Sequence, residues 1–174
     1  MTENKHGAKY WIAGLVSVCL LLGLDQWTKY LASAYLAGQH DMILIPGILQ
    51  LHYLENRGAA FGVLQNQQWI FIILCVLFLA FAVYAYARIP KTKHFFPLNL
   101  ITVVLVSGAI GNLIDRIRLK YVIDFVYVSV IDFPVFNVAD IYVTISAVLL
   151  FIYLIFFYKE DDFTFLAFKK KNGQ

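Results

Sequence analysis

Residues 69–87 read WIFIILCVLFLAFAVYAYA, with no charged residue, glycine or proline from end to end. A helix of that length rises about 28 Å, close to the ~30 Å hydrocarbon core of a bilayer, so the stretch reads as a membrane span. Moving outward, residues 10–24, 95–114 and 141–158 are also uncharged, and the first continues as an amphiphilic turn through Asp25 and Trp27. Of the 174 residues 61% are hydrophobic, 17% aromatic and only 14% charged, which fits an integral membrane protein. The expected fold is a membrane all-α core of four transmembrane helices with a small extracytoplasmic β element and loop region. The spans are expected at about 10–30, 69–88, 95–115 and 138–158 and the outer segments at about 31–68 and 116–137, all within one integral membrane domain, 1–174.

Aromatic residues gather at the span ends. Trp11, Trp27, Trp69, Tyr10, Tyr30, Tyr84, Tyr86, Tyr142 and Tyr158 would suit the headgroup level, where a ring is half apolar and half wet. Lys5, Lys9, Arg88, Lys91, Lys93, Lys159, Lys169, Lys170 and Lys171 fall on one side, and Lys29, Arg57, Arg116, Arg118 and Lys120 on the other. The nine-to-five bias predicts that both termini are cytoplasmic. The net charge of +3 is absorbed by topology and contact with anionic lipid headgroups. No nucleic-acid partner is implied.

Lys5 and Lys9, an apolar run and Ala32-Ser33-Ala34 imitate a cleavable secretory signal. Asp25, Gln26, Trp27 and Lys29 stand between that run and the candidate site, which suits a retained first helix better. Cys19 and Cys75 have no second cysteine at metal or redox spacing and read as small packing residues. His6, His40, His52 and His94 are scattered and form no zinc-protease pair. Ser107 and Ser129 lack a nearby histidine motif, so nucleophilic and metal-assisted hydrolysis rank low. No metal and no cofactor is expected.

About 40 residues separate the first two spans. They contain Pro46-Gly47 and then Leu49-Gln50-Leu51-His52-Tyr53, whose alternation predicts a short strand. A β-branched and aromatic run over residues 121–128, ending before Asp132-Phe133-Pro134, predicts a second. A small sheet at the membrane surface would narrow access to the site and offer an edge to a peptide.

The informative residues are acids beside long apolar spans. Asp124 lies in Val122-Ile123-Asp124-Phe125 and Asp140 in Phe136-Asn137-Val138-Ala139-Asp140. A carboxylate at membrane depth costs about 2.5–3.5 kcal/mol on insertion scales, so it faces a cavity, pairs with a partner or does chemistry. Asn137 can also cap the fourth helix, with Asp140 in its positive first turn; capping and chemistry are compatible. On the third span, Ser107 and Gly111 permit close helix approach. Asn112, Asp115 and Arg116 follow at helical spacing on one face.

Five ordered blocks carry a resemblance: Leu24-Asp25-Gln26 with Lys29, Asn56-Arg57-Gly58-Ala59-Ala60-Phe61, Gly111-Asn112 with Asp115-Arg116, Val122-Ile123-Asp124-Phe125, and Phe136-Asn137-Val138-Ala139-Asp140. Together the chain resembles the lipoprotein signal peptidases, also called type II signal peptidases, bacterial intramembrane aspartic proteases with four transmembrane helices. The resemblance implies that Asp124 and Asp140 are the catalytic pair. It implies that Asn56, Asn112, Arg116 and Asn137 line the site, with Asp25 and Asp115 supporting it. The implied substrate is a prolipoprotein whose signal peptide is cut before a diacylglyceryl-modified cysteine, in the bacterial cytoplasmic membrane, with the active site toward the outer side. The partners are then that lipid-modified signal peptide and membrane lipids, and the protein is expected as a monomer. One departure is visible, since the family often has glycine between the Asp-Arg pair and the catalytic strand, where this chain reads Arg118-Leu119-Lys120-Tyr121.

The chemistry stands beside the name. Two adjacent carboxylates cannot both ionise cheaply, so one keeps a proton while the other accepts one from water. The ionised acid is the expected general base and the protonated one polarises the scissile carbonyl, with no covalent intermediate. Burying acyl chains contributes about 0.8 kcal/mol per CH₂ and would set the depth of the peptide. The competing class is a small transporter or proton relay in which Asp25, Asp115, Asp124 and Asp140 line an aqueous path; four helices without an inverted repeat weigh against it.

Overall fold

The structure is a computed structural model that describes residues 4–58 and 67–166. Ala59, Ala60 and Phe61 of the second family block and Lys169, Lys170 and Lys171 of the basic tail lie outside the described residues, as do the side chains of Lys5 and His6. Among the described residues, four helices are long and apolar enough to cross a membrane. They are α1 (Asn4–Tyr35), α2 (Gln68–Arg88), α3 (Phe96–Arg118) and α4 (Val138–Phe156). Three strands, β1 (Met42–Ile45), β2 (Leu49–Asn56) and β3 (Val122–Val128), complete the main elements. At 32 residues α1 is about 48 Å long, more than a hydrocarbon core needs. Its last turns therefore run past the span expected at 10–30 and meet the sheet. There Ala32 and Leu36 pack on Ile123 and Phe125, so the Ala32-Ser33-Ala34 stretch is helical and held against β3.

Helix α3 packs against α1, α2 and α4 and is the most enclosed of the four. The others turn Leu15, Leu20, Leu77, Phe81, Phe151 and Phe156 outward. In lipid such faces gain little by associating, so close backbone approach and interhelical polar ties hold the bundle. The approach is closest at Gly108, where an added Cβ would lie 2.5 Å from Ala139 O, and at Gly111, where it would lie 2.5 Å from Asp25 Oδ2. Ser107, expected at the contact, is fully buried but donates within its own helix to Val103 O at 2.8 Å.

Three tyrosines expected at headgroup level act instead as ties. Tyr86 donates to Tyr10 O at 3.0 Å, Tyr142 to Leu21 O at 3.4 Å and Tyr158 to His94 O at 3.1 Å. Trp27, Trp69 and Tyr30 do face outward. Cys75 packs with its Sγ 3.5 Å from Ala109 O, whereas Cys19 faces outward. Lys91, counted above among the topology-setting cations, donates to Tyr86 O at 2.6 Å in the last turn of α2 and also to Asn99. Burial lowers its ammonium to a pKa of about 8.

The sheet is antiparallel in the order β1-β2-β3. Pro46-Gly47 makes the β1–β2 turn, with Gly47 at φ 71° and Ile48 N donating to Ile45 O at 3.0 Å. Strand β1 escapes a sequence reading because Met42-Ile43-Leu44-Ile45 has no alternation, and all four residues are exposed. Strand β2 runs beyond Tyr53 to Asn56, past a register shift between Leu51 and Leu54. Lys120, the residue at the departure from the family's glycine, has φ 68°. Lysine adopts the left-handed conformation there at a cost of about 1–2 kcal/mol.

Candidate active site

Strand β3 buries Ile123 and Phe125 against α1, so period-2 alternation turns Asp124 to the other face. Leu54 lies opposite Asp124 and Asn56 opposite Val122, a diagonal that brings Asn56 to the acid. Its Nδ2 donates to Asp124 Oδ2 at 2.8 Å. On the far side of β3 the chain returns at Phe136, whose N donates to Val126 O at 3.0 Å while its O accepts from Val126 N at 2.8 Å. That pairing delivers Asn137 beside Asp124, and Asn137 Nδ2 donates to Asp124 Oδ1 at 2.6 Å.

The next three residues start α4 with a capping box. Asp140 N donates to Asn137 Oδ1 at 3.0 Å, and Asn137 N donates to Asp140 Oδ2 at 3.1 Å. The other carboxylate oxygen, Asp140 Oδ1, accepts from Asn112 Nδ2 at 2.7 Å. Asn137 Nδ2 also donates to Asn112 Oδ1 at 3.1 Å, so one pair of amides spans both acids. Both acids line a single cavity of about 940 Å³ whose walls include Asn56, Arg116, Phe136 and Ile145.

Asp124 is buried, at 1% exposure. Burial, and then the charge of Asp140, pushes its carboxyl up to about 7, against the Asn56 and Asn137 donors and the charge of Lys29. A carboxyl titrating there is poised to exchange a proton near neutral pH.

Arg116 also lines the cavity. Its guanidinium lies 4.8 Å from the Phe71 ring centroid, its Nη1 donates to Asn112 O at 3.5 Å, and its buried Nε has no hydrogen-bond partner among the described residues. Asp115 turns away from its sequence neighbour. Lys29 Nζ lies 2.9 Å from Asp115 Oδ2 and 3.1 Å from Asp25 Oδ2, and it donates to Asn112 Oδ1 at 2.9 Å. Gln26 Nε2 completes the cluster, reaching Asp25 Oδ2 and Asp115 Oδ1, each at 3.1 Å.

The structure thus brings Asn56, Asn112, Asn137, Asp124 and Asp140 into one bonded group, places Arg116 on the same cavity, and puts Asp25 and Asp115 behind it. Lys29 and Gln26 belong to the same assembly, although reading the sequence assigned them no role. The signal was present: Asp25 and Lys29 are four apart in a helical span, where a lone ammonium has to find carboxylates.

The family model for signal peptidase (SPase) II matches residues 17–156. Lipoprotein signal peptidases of Streptococcus pyogenes serotypes M3 and M1 are 44% and 43% identical over 149 residues, covering 86% of this chain and 95% of theirs. Two solved chains, each described as a bacterial membrane enzyme determined by the in meso method, align with a TM-score of 0.72 at 29% identity. They cover 82% and 83% of this chain and 87% and 93% of their own lengths. These likenesses favour hydrolysis over the transport alternative, and the chain belongs to the signal peptidase II family of membrane peptidases.

Proposed function

We propose that this protein removes the signal peptide from diacylglyceryl-modified prolipoproteins by cutting before the lipidated cysteine, with Asp124 and Asp140 as the catalytic pair. The observation that carries the reading is the opening of two carboxyl groups, Asp124 buried and Asp140 half-buried, bridged by Asn112 and Asn137, onto one cavity. With one proton between them, the ionised acid takes a proton from water as the water attacks the scissile carbonyl. The protonated acid donates to the carbonyl oxygen and recovers a proton from the gem-diol as it collapses, while the proton gained from water goes to the leaving amine. The pair titrates as a unit.

The four N–H contacts made by Asn56, Asn112, Asn137 and the Asn137 backbone hold the carboxylates in place before substrate arrives. Arg116 lines the same cavity beside the Phe71 ring, and its planar fork of donors suits a substrate carbonyl. Acyl chains of the substrate stay in lipid and set the depth of the peptide. The lysine and arginine bias supports one multi-pass unit in the bacterial cytoplasmic membrane, with both termini cytoplasmic and the cavity toward the outer side.

Purified protein in detergent, given lipid-modified and unmodified precursor, tests this directly by gel shift. Cleavage should require the lipid, and Asp124→Asn and Asp140→Asn should each lower the rate by about 10²–10⁴-fold in folded protein. Parent-rate cleavage by either variant would overturn the assignment.

A further inference from the structure

Three asparagines present their Nδ2 groups to the two acids, and an amide does this only if its oxygen end is held elsewhere. For Asn56 the holder is Gly58 N, 3.0 Å from Oδ1, and for Asn137 it is Asp140 N, also at 3.0 Å. Both are backbone groups. Asn112 has no backbone holder; its Oδ1 takes N–H contacts from Lys29 Nζ at 2.9 Å and from the shared Asn137 amide at 3.1 Å. An ammonium offers donors only, so it fixes which end of Asn112 turns to Asp140.

The same ammonium binds the two struts on which the acids rest. Asp25 Oδ1 accepts from Ala139 N at 2.9 Å, one residue before Asp140, and Asp115 Oδ2 accepts from Ile123 N at 3.3 Å, one residue before Asp124. Lys29 reaches both carboxylates and is 1% exposed, so no water replaces it. From these contacts the geometry points to Lys29 as a positioning residue for the reaction. It orients the Asn112 amide toward Asp140 and sets the spacing of the segments that carry Asp124 and Asp140. This rests on the reading of Asp124 and Asp140 as the catalytic pair.

The test compares parent, Lys29→Met and the double variant Lys29→Met/Asp115→Asn, which removes a matched pair of charges in case the single variant does not fold. Rates on a lipid-modified precursor are measured across pH in detergent, with size-exclusion and thermal-melt checks of folding. The expected result in whichever variant folds is a kcat lowered by about 10²-fold with KM changed less than about threefold, since no substrate contact is lost. The pH–rate profile should also move to higher pH, because the Lys29 charge lowers the Asp124 carboxyl and its loss raises it. Folded protein with the parent kcat and profile would overturn the role of Lys29 and leave the dyad standing. Asp124→Asn or Asp140→Asn cleaving at the parent rate would instead remove the dyad, which separates the two failures.

Discussion

Two pairs of acids lie side by side in this protein and have opposite fates. Asp25 and Asp115 enclose Lys29, and every one of their carboxylate oxygens has an N–H or ammonium partner. Asp124 and Asp140 receive only neutral amide donors and face a cavity of about 940 Å³. Charge that is matched inside the bundle makes structure, and charge left to neutral donors beside solvent keeps its capacity to move a proton. Asn112 joins the two, accepting from Lys29 and donating to Asp140.

The largest effect is expected at Asp124 and Asp140, where on the proposed reading substitution should lower cleavage by about 10²–10⁴-fold. The next largest effect is expected at Gly111→Ala. Its methyl would meet Asp25 Oδ2 at 2.5 Å and Ala139 Cβ at 3.3 Å, and Asp25 cannot yield without releasing Lys29 and Ala139 N. The overpacking should cost about 1–3 kcal/mol, read as a lower Tm in detergent, and cleavage should fall with it through the displaced start of α4. Gly23→Ala on the outward face of α1 is the control, since nothing lies within 4 Å of the added atom. It should raise stability by about 0.5–1 kcal/mol and leave the rate alone.

The smallest effect is expected at Lys120→Gly, outside both groups. Lys120 is exposed and holds φ 68° at the end of α3. Glycine relieves the left-handed strain but loses more entropy on folding, for a net gain of about 1 kcal/mol. A Tm shift without a change in kcat would mark the turn as structural only.

The acids were legible because a carboxyl beside a long apolar span has few uses, and Asn137 with Asp140 carried a recognisable cap spacing. The four spans followed from length and composition alone. Other features depend on partners far away in the chain. Lys29 looked like one more interfacial cation until α3 folded against it with Asp115, 86 positions onward. Tyr86, Tyr142 and Tyr158 had the composition of a headgroup belt, but the lateral packing that turned them inward has no local signature. Strand β1 is apolar on both faces, so no period betrays it. The departure at Lys120 was visible in the sequence, but its positive φ was not, since lysine carries no signal for a left-handed turn.

On the proposed reading Asp124 and Asp140 hold one proton between them near neutral pH. Infrared difference titration of the detergent-solubilised protein, with carbon-13 in its aspartate carboxyls, tests it most directly. The parent should show a protonated-carboxyl band that vanishes as pH rises through about 7, and Asp124→Asn should lack that transition. A parent with no carboxyl titrating between about 5 and 9, well above the ordinary aspartate value, would contradict the account.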